Sequence, residues 1–211
     1  MSRPAEIAER TLPVLRERFP DARYELDWET PLDLLMATIL AAQCTDERVN
    51  RVTKTLFPKY PTARDYAEVE ITELEEDVRP TGFYKNKAKT VQAVAKMLVQ
   101  KFDGEVPRTM AELVTLPGVA RKTANVVLTT AFNMAEGVIV DTHVLRVSQR
   151  LGLSASSDAS VIEADLMKIL PREVWTFWGP AMVLHGRYVC TAKKPACDEC
   201  AMAAFCPKIG V

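Results

Sequence analysis

The sequence predicts an all-α protein of short helices. Three observations carry this. Apolar residues recur at steps of three and four along most of the chain, Pro and Gly fall where those patterns stop, and no segment sustains strand alternation. With 211 residues and 48% hydrophobic composition, the chain can bury a sizeable core as one domain or two closely joined ones. No run approaches the roughly 18 uninterrupted apolar residues that a membrane helix needs. Residues 1–18 alternate charge with apolar side chains and lack a secretory stretch, which predicts a cytoplasmic protein.

The helices are read in order. Pro31 to Ala42 places Leu32, Leu35, Met36, Ile39 and Leu40 at helical spacing, with Pro31 suited to a first turn. Glu47 to Leu56 follows, then Tyr66 to Val78 and Asn86 to Phe102, the last with Val91, Val94, Ala95 and Leu98 on one side. Val119 to Phe132, Thr142 to Leu151, Ala159 to Leu170 and Glu173 to Tyr188 complete the set. Breaks fall at Phe57-Pro58, Thr81-Gly82, Gly104 to Pro107, Gly152 and Pro171. Val138-Ile139-Val140 is β-branched and reads as a buried extended link rather than a sheet strand.

The formal net charge of −1 conceals segregation. Residues 65–77 hold seven acids (Asp65, Glu68, Glu70, Glu73, Glu75, Glu76, Asp77) and no base. Residues 79–101 hold six bases (Arg79, Lys85, Lys87, Lys89, Lys96, Lys101) and no acid. Residues 174–197 add Arg187, Lys193 and Lys194, again without an acid. Such runs are commonly solvated helix faces, but they can also give a neutral protein one basic face that attracts phosphate.

Four of the five cysteines (Cys190, Cys197, Cys200, Cys206) crowd the last 22 residues as C-x6-C-x2-C-x5-C. Cytosolic thiols stay reduced, which argues against disulfides. Four thiolates suit zinc, yet structural zinc sites commonly pair two C-x2-C knuckles and only one is present. The spacing favours a cubane iron–sulfur cluster, with zinc as the rival. Cys44 stands alone among small residues and reads as a core side chain.

Thr115-Leu116-Pro117-Gly118-Val119-Ala120-Arg121-Lys122-Thr123-Ala124 is a Pro-Gly turn running into a helix. Backbone N–H groups at such a start suit a phosphate, although an ordinary helix corner has the same signature. Lys122 in the first turn is a cation set against the helix dipole. Phosphate contact is one reason for it; the other is that the site favours the neutral amine, which can attack carbon. Nineteen residues on, Asp141 closes the β-branched run and opens a helix. It is a good N-cap, and a carboxylate held there can also accept a proton or stabilise a cationic sugar.

Together these residues resemble the endonuclease III family of helix-hairpin-helix DNA glycosylases. The match is carried by Leu116-Pro117-Gly118-Val119 with Lys122 to Val127, by Val140-Asp141-Thr142-His143 with Arg146-Val147, and by His185-Gly186-Arg187-Tyr188 leading into the four cysteines. Ala41-Ala42-Gln43 with Thr45-Asp46, and Thr81-Gly82-Phe83-Tyr84 with Lys87-Ala88, also fit. The resemblance implies two helical lobes: a six-helix barrel with the hairpin over residues 24–135, and a discontinuous lobe of residues 1–23 and 136–211 carrying a 4Fe–4S cluster on the four cysteines. It implies a monomer, associated with the nucleoid, that takes damaged double-stranded DNA across a cleft and flips the lesion out of the stack.

By the same resemblance, Lys122 attacks the sugar C1′ and displaces an oxidised pyrimidine such as thymine glycol. The resulting imine leads to loss of the 3′ phosphate, with Asp141 assisting. Gln43 matches the residue that fills the gap left by the flipped base. Phe83 stands where the family often has an aliphatic wedge, and an aromatic there can stack instead. Gly118, Ala120, Arg121 and His143 complete the implied DNA contacts. The pattern departs at Ala120, where the family hairpin usually has glycine: alanine is unstrained if φ is negative and strained if it is positive. Adenine-removing relatives also carry four cysteines, but they generally lack the lysine and have a further C-terminal domain. A non-catalytic DNA-binding paralogue is the other alternative.

Overall fold

A computed structural model describes residues 2–211. Among them are eleven α-helices and no strand, as the apolar spacing predicts. The helices are α1 (Arg3–Arg18), α2 (Pro31–Leu40), α3 (Asp46–Lys59), α4 (Ala63–Glu68), α5 (Ile71–Val78), α6 (Tyr84–Lys101), α7 (Met110–Leu113), α8 (Arg121–Phe132), α9 (Thr142–Arg150), α10 (Ala159–Ile169) and α11 (Trp175–Tyr188). The chain divides into two compact units, one made of the described residues of Met1–Tyr24 with Ala135–Val211, the other of Glu25–Met134.

In Glu25–Met134, α2 starts at a capping box. Thr30 Oγ1 accepts from Asp33 N at 3.1 Å and Asp33 Oδ2 accepts from Thr30 N at 2.9 Å, so two backbone donors at the helix start are satisfied reciprocally. Helices α2, α4 and α5 pack on α6, and α8 lies against α2. Leu35, Leu56, Tyr66, Leu74, Leu98 and Leu128 are buried in the common core. A fully buried leucine of this kind contributes about 1.5–3 kcal/mol of transfer free energy.

One expectation is corrected here. The single helix read over residues 66–78 is two, α4 and α5, because Val69 and Glu70 are extended. No Pro or Gly marks the break. Tertiary packing sets it: Tyr66 and Leu74 are both buried, and Gln92 on α6 donates to the freed Val69 carbonyl at 2.7 Å. The helix read from residue 119 starts at Arg121, since Ala120 is still extended.

The other unit packs α1 against α10 and α11, and α9 against α11. Its core includes Leu15, Val144, Val147, Ile162, Trp178 and Met182. Val138, Ile139 and Val140 are buried without strand pairing, the extended link that the sequence predicts.

Candidate catalytic residues and the four-cysteine loop

The hairpin turn between α7 and α8 is anchored by the buried side chains of Leu116 and Val119, with Val119 N donating to Leu116 O at 3.1 Å. Gly118 takes φ +71°, and a Cβ there would lie 2.7 Å from Thr90 Cγ2 of α6, so both backbone and space call for glycine. Ala120, the helix N-cap, has φ −82° and ψ 167°. Alanine is therefore unstrained at the position where the family pattern departs, and only the cap is missing: α8 begins without a side-chain hydrogen bond on its first-turn donors. Arg121 and Lys122 are its first two residues, and both are exposed.

Gln43, between α2 and α3, and Phe83, at the start of α6, are exposed residues of the same unit with left-handed backbones, φ +52° and +49°. Such a backbone costs a non-glycine residue about 1–2 kcal/mol, and strain of that kind clusters where a side chain has to be presented. Phe83 is 65% exposed. Lys85, Lys89, Lys96 and Lys101 of the basic run face solvent, but Lys87 does not. The basic face expected from the run thus loses one member to the interior. Part of the acidic run is locally neutralised, with Lys59 Nζ 2.9 Å from Glu73 and 2.7 Å from Asp77.

In the other unit, Asp141 caps α9 through Oδ1, which accepts from His143 N and Val144 N, both at 2.8 Å. Oδ2 takes no part in the cap. Tyr24 is half-buried in this unit, and its buried hydroxyl has no partner among the described residues. Burial, and then the Asp141 carboxylate, raises its phenol well above the ordinary value. His143 is half-buried, its Nδ1 3.2 Å from Arg146 Nη2. That guanidinium also donates to Gly186 O at 2.8 Å and, through Nε, to Cys190 O at 3.2 Å. Arg146 therefore ties the Asp141 helix to the end of α11 and the start of the cysteine loop.

All four cysteines of the loop are unpaired and line one pocket with Val147, Leu151 and Met202. Among the described residues, no three His, Cys, Asp or Glu side chains are grouped so that they could hold a single metal ion. Four thiols around one shared apolar space fit a cluster held by four cysteines. Electrostatics agree: burial first, and then the neighbouring cysteines, raise the Cys200 and Cys206 thiols, so four thiolates need a cationic core. Buried Arg150 holds the loop, donating to Cys190 Sγ at 3.3 Å, Thr191 O at 2.7 Å and Ala192 O at 3.0 Å. His185 Nε2 lies 3.9 Å from Cys200 Sγ, and burial, then Arg18, lowers that imidazole to about 4.

Gln43, Phe83, Gly118, Ala120, Arg121 and Lys122 belong to Glu25–Met134, whereas Asp141, His143 and the four cysteines belong to the other unit. Within the latter, the α9 cap joins Asp141 to His143, and one pocket gathers the cysteines. Sequence reasoning gave Lys87 only a place in the basic run and gave no role to Arg146, Arg150, His185 or Tyr24. Arg146 and Arg150 carried a signal, since two arginines four apart on one helix share a face.

Comparison with known proteins places these features. The model of the HhH-GPD superfamily base excision DNA repair proteins matches residues 36–172. The model of the iron–sulfur binding domain of endonuclease III matches residues 190–206, a span that starts and ends on cysteines of the loop. Endonuclease III of Synechocystis sp. is 53% identical over 200 residues, covering 95% of this chain and 91% of that protein. Endonuclease III of Bacillus subtilis is 47% identical over 191 residues, covering 90% and 87%. A solved structure of a trapped endonuclease III–DNA covalent intermediate, an estranged-adenine complex, superposes with a TM-score of 0.92 at 44% identity, covering 99% of this chain and 97% of that one.

Proposed function

The chain belongs to the endonuclease III family within the HhH-GPD superfamily of base excision DNA repair proteins, and from that premise we infer how its own residues do the work. It is a bifunctional DNA glycosylase and abasic-site lyase acting on oxidised pyrimidines. Lys122 is the nucleophile. The single observation that carries this is its placement, an exposed amine on the first turn of α8 directly after the Gly118 turn. The covalent intermediate trapped in the related endonuclease III supports the same chemistry.

The neutral Lys122 amine attacks C1′, the C1′–N bond breaks, and the base leaves with a proton. Opening of the sugar ring at C1′–O4′ yields the imine. Loss of a C2′ proton then expels the 3′ phosphate by β-elimination, and water hydrolyses the imine to free the lysine. Asp141 accepts the proton that Lys122 must lose and stabilises the cationic sugar. Its cap on α9 fixes Oδ1 and leaves Oδ2 for this task. The uncapped first turn of α8 supplies N–H donors to the DNA phosphates, with Arg121 beside them. Gln43 and Phe83 enter the duplex where the nucleotide has left, and His143 contacts DNA from the Asp141 helix.

The 4Fe–4S cluster is held by Cys190, Cys197, Cys200 and Cys206. When bound, it supplies the positive charge that lets four half-buried thiolates coexist and cross-links the loop to itself. Residues 24–135 act as the barrel domain, and residues 1–23 with 136–211 as the cluster domain. The protein works as a monomer on damaged double-stranded DNA of the nucleoid.

The test is borohydride reduction in the presence of a duplex containing thymine glycol or an abasic site. Wild-type protein is expected to give a covalent adduct and Lys122→Ala none. An adduct of undiminished yield from Lys122→Ala would falsify the assignment.

A further inference from the structure

Lys87 stands apart from the other lysines of α6. Lys85, Lys89, Lys96 and Lys101 are exposed, whereas Lys87 is 5% exposed. Its Nζ donates to Thr81 O at 2.7 Å, and its backbone N–H donates to Phe83 O at 3.1 Å. Thr81 is itself buried, its hydroxyl donating to Val78 O at 2.8 Å. Burial lowers the Lys87 pKa. The opposing influence comes from Cys44, so the ammonium is within electrostatic reach of the residue that follows Gln43.

The backbone at Phe83 needs something to hold it. Its φ of +49° is left-handed, its ring is largely in solvent, and α6 has no side-chain cap there. What fixes the turn is a set of local bonds, Gly82 N to Arg79 O at 3.2 Å, Asn86 N and Lys87 N to Phe83 O at 3.1 Å, and the Lys87 ammonium on the Thr81 carbonyl. The last is charge-assisted and shielded from water, the strongest kind in the set.

We propose that Lys87 is a positioning residue. From inside the unit its ammonium clamps the Thr81–Phe83 turn and thereby presents the Phe83 ring to the strand opposite the lesion. The proposal rests on the reading of Phe83 as the residue that enters the duplex. Methionine at position 87 would fill the same space without a donor and leave the Thr81 carbonyl unpaired in the interior. Phe83 would then sample backbone angles that no longer aim its ring.

The experiment compares wild type, Lys87→Met, Phe83→Ala and the double variant by rate of borohydride trapping on two substrates. One is a single-stranded oligonucleotide with an abasic site; the other is the same oligonucleotide in a duplex. For Lys87→Met the single-strand rate is expected to stay at the wild-type level, because no opposite strand has to be parted. The duplex rate is expected to fall about tenfold, and the double variant to be no slower than Phe83→Ala alone, the non-additivity of two residues acting as one. Amide hydrogen exchange over residues 79–86 of free Lys87→Met is expected to quicken. Equal loss on both substrates, an undiminished duplex rate, or additive losses in the double variant would each overturn the clamp. A wild-type protein that traps neither substrate would instead overturn the imine chemistry on which the clamp depends. Should Lys87→Met not fold, Lys87→Leu, which also lacks a donor, carries the same comparison.

Discussion

Asp141 caps α9 and, in the proposed reaction, also serves the chemistry, and different substitutions can separate the two. Asn at this position can still accept from His143 N and Val144 N, so the thermal midpoint of Asp141→Asn should match wild type. Without the charge, single-turnover excision should fall by roughly 10²- to 10⁴-fold, the usual worth of a positioned acid–base group. Asp141→Ala should lose the cap as well, at about 1 kcal/mol, visible in denaturant unfolding. Gly118 makes the opposite point, because its task is steric: Gly118→Ala adds a Cβ at φ +71°, 2.7 Å from Thr90 Cγ2. It should cost about 1–2 kcal/mol and tilt the turn that precedes Lys122. Lys87 adds a pH signature. Its folded pKa is lowered, so between that value and 10.5 the unfolded chain binds more protons than the folded one. Its contribution to stability therefore rises with pH across that window. The stability of wild type relative to Lys87→Met should climb with pH below 10.5, and a flat difference would contradict the burial of a charged amine.

At the scale of elements, α8 gives up stability at its N-terminus. Ala120 is a poor N-cap, and Ala120→Asp should stabilise the protein by about 1 kcal/mol, read as a raised thermal midpoint. If those N–H donors hold phosphate as proposed, the same carboxylate would occupy them and repel the DNA, so affinity for an abasic duplex should drop as the midpoint rises. A gain in both would remove the phosphate role from the α8 start. Most helices were legible because their apolar positions keep a 3.6-residue period, as in α2 and α6. The α4–α5 break was not, because Val69 and Glu70 carry no local turn signal and the break is set by Tyr66, Leu74 and Gln92 packing from elsewhere in the chain. The candidate site divides in the same way. Lys122, Asp141 and the four cysteines announce themselves by residue type and spacing. Lys87 does not, since in the sequence it is a further base in a charged run and only the fold turns it inward.

Over the whole molecule, a formal net charge of −1 coexists with exposed lysines gathered along α6 and acids on α4 and α5. DNA affinity should therefore fall steeply with added salt, log K declining linearly with log salt at a slope of about −0.9 for each phosphate contacted. Salt-insensitive binding would discard the basic face. Cluster loss should be felt unevenly. Cys200→Ser should lower the iron content and speed hydrogen exchange across residues 185–206, where Arg146, Arg150 and His185 meet the loop. Amides of α2 to α6, in the other unit, should exchange as before, and equal loosening of both units would refute this. The division of the chain also orders its birth. Helix α1 packs on α10 and α11, yet Tyr188 follows Arg18 by some 170 residues. A ribosome adding about 5–20 residues per second makes α1 wait on the order of ten to thirty seconds for its partners. The segment Glu25–Met134 is contiguous and meets no such delay. Through that interval the nascent chain holds a complete Glu25–Met134 segment and an unpartnered α1. The four cysteines emerge after α11, so a cluster on them can load only once every helix described has been made.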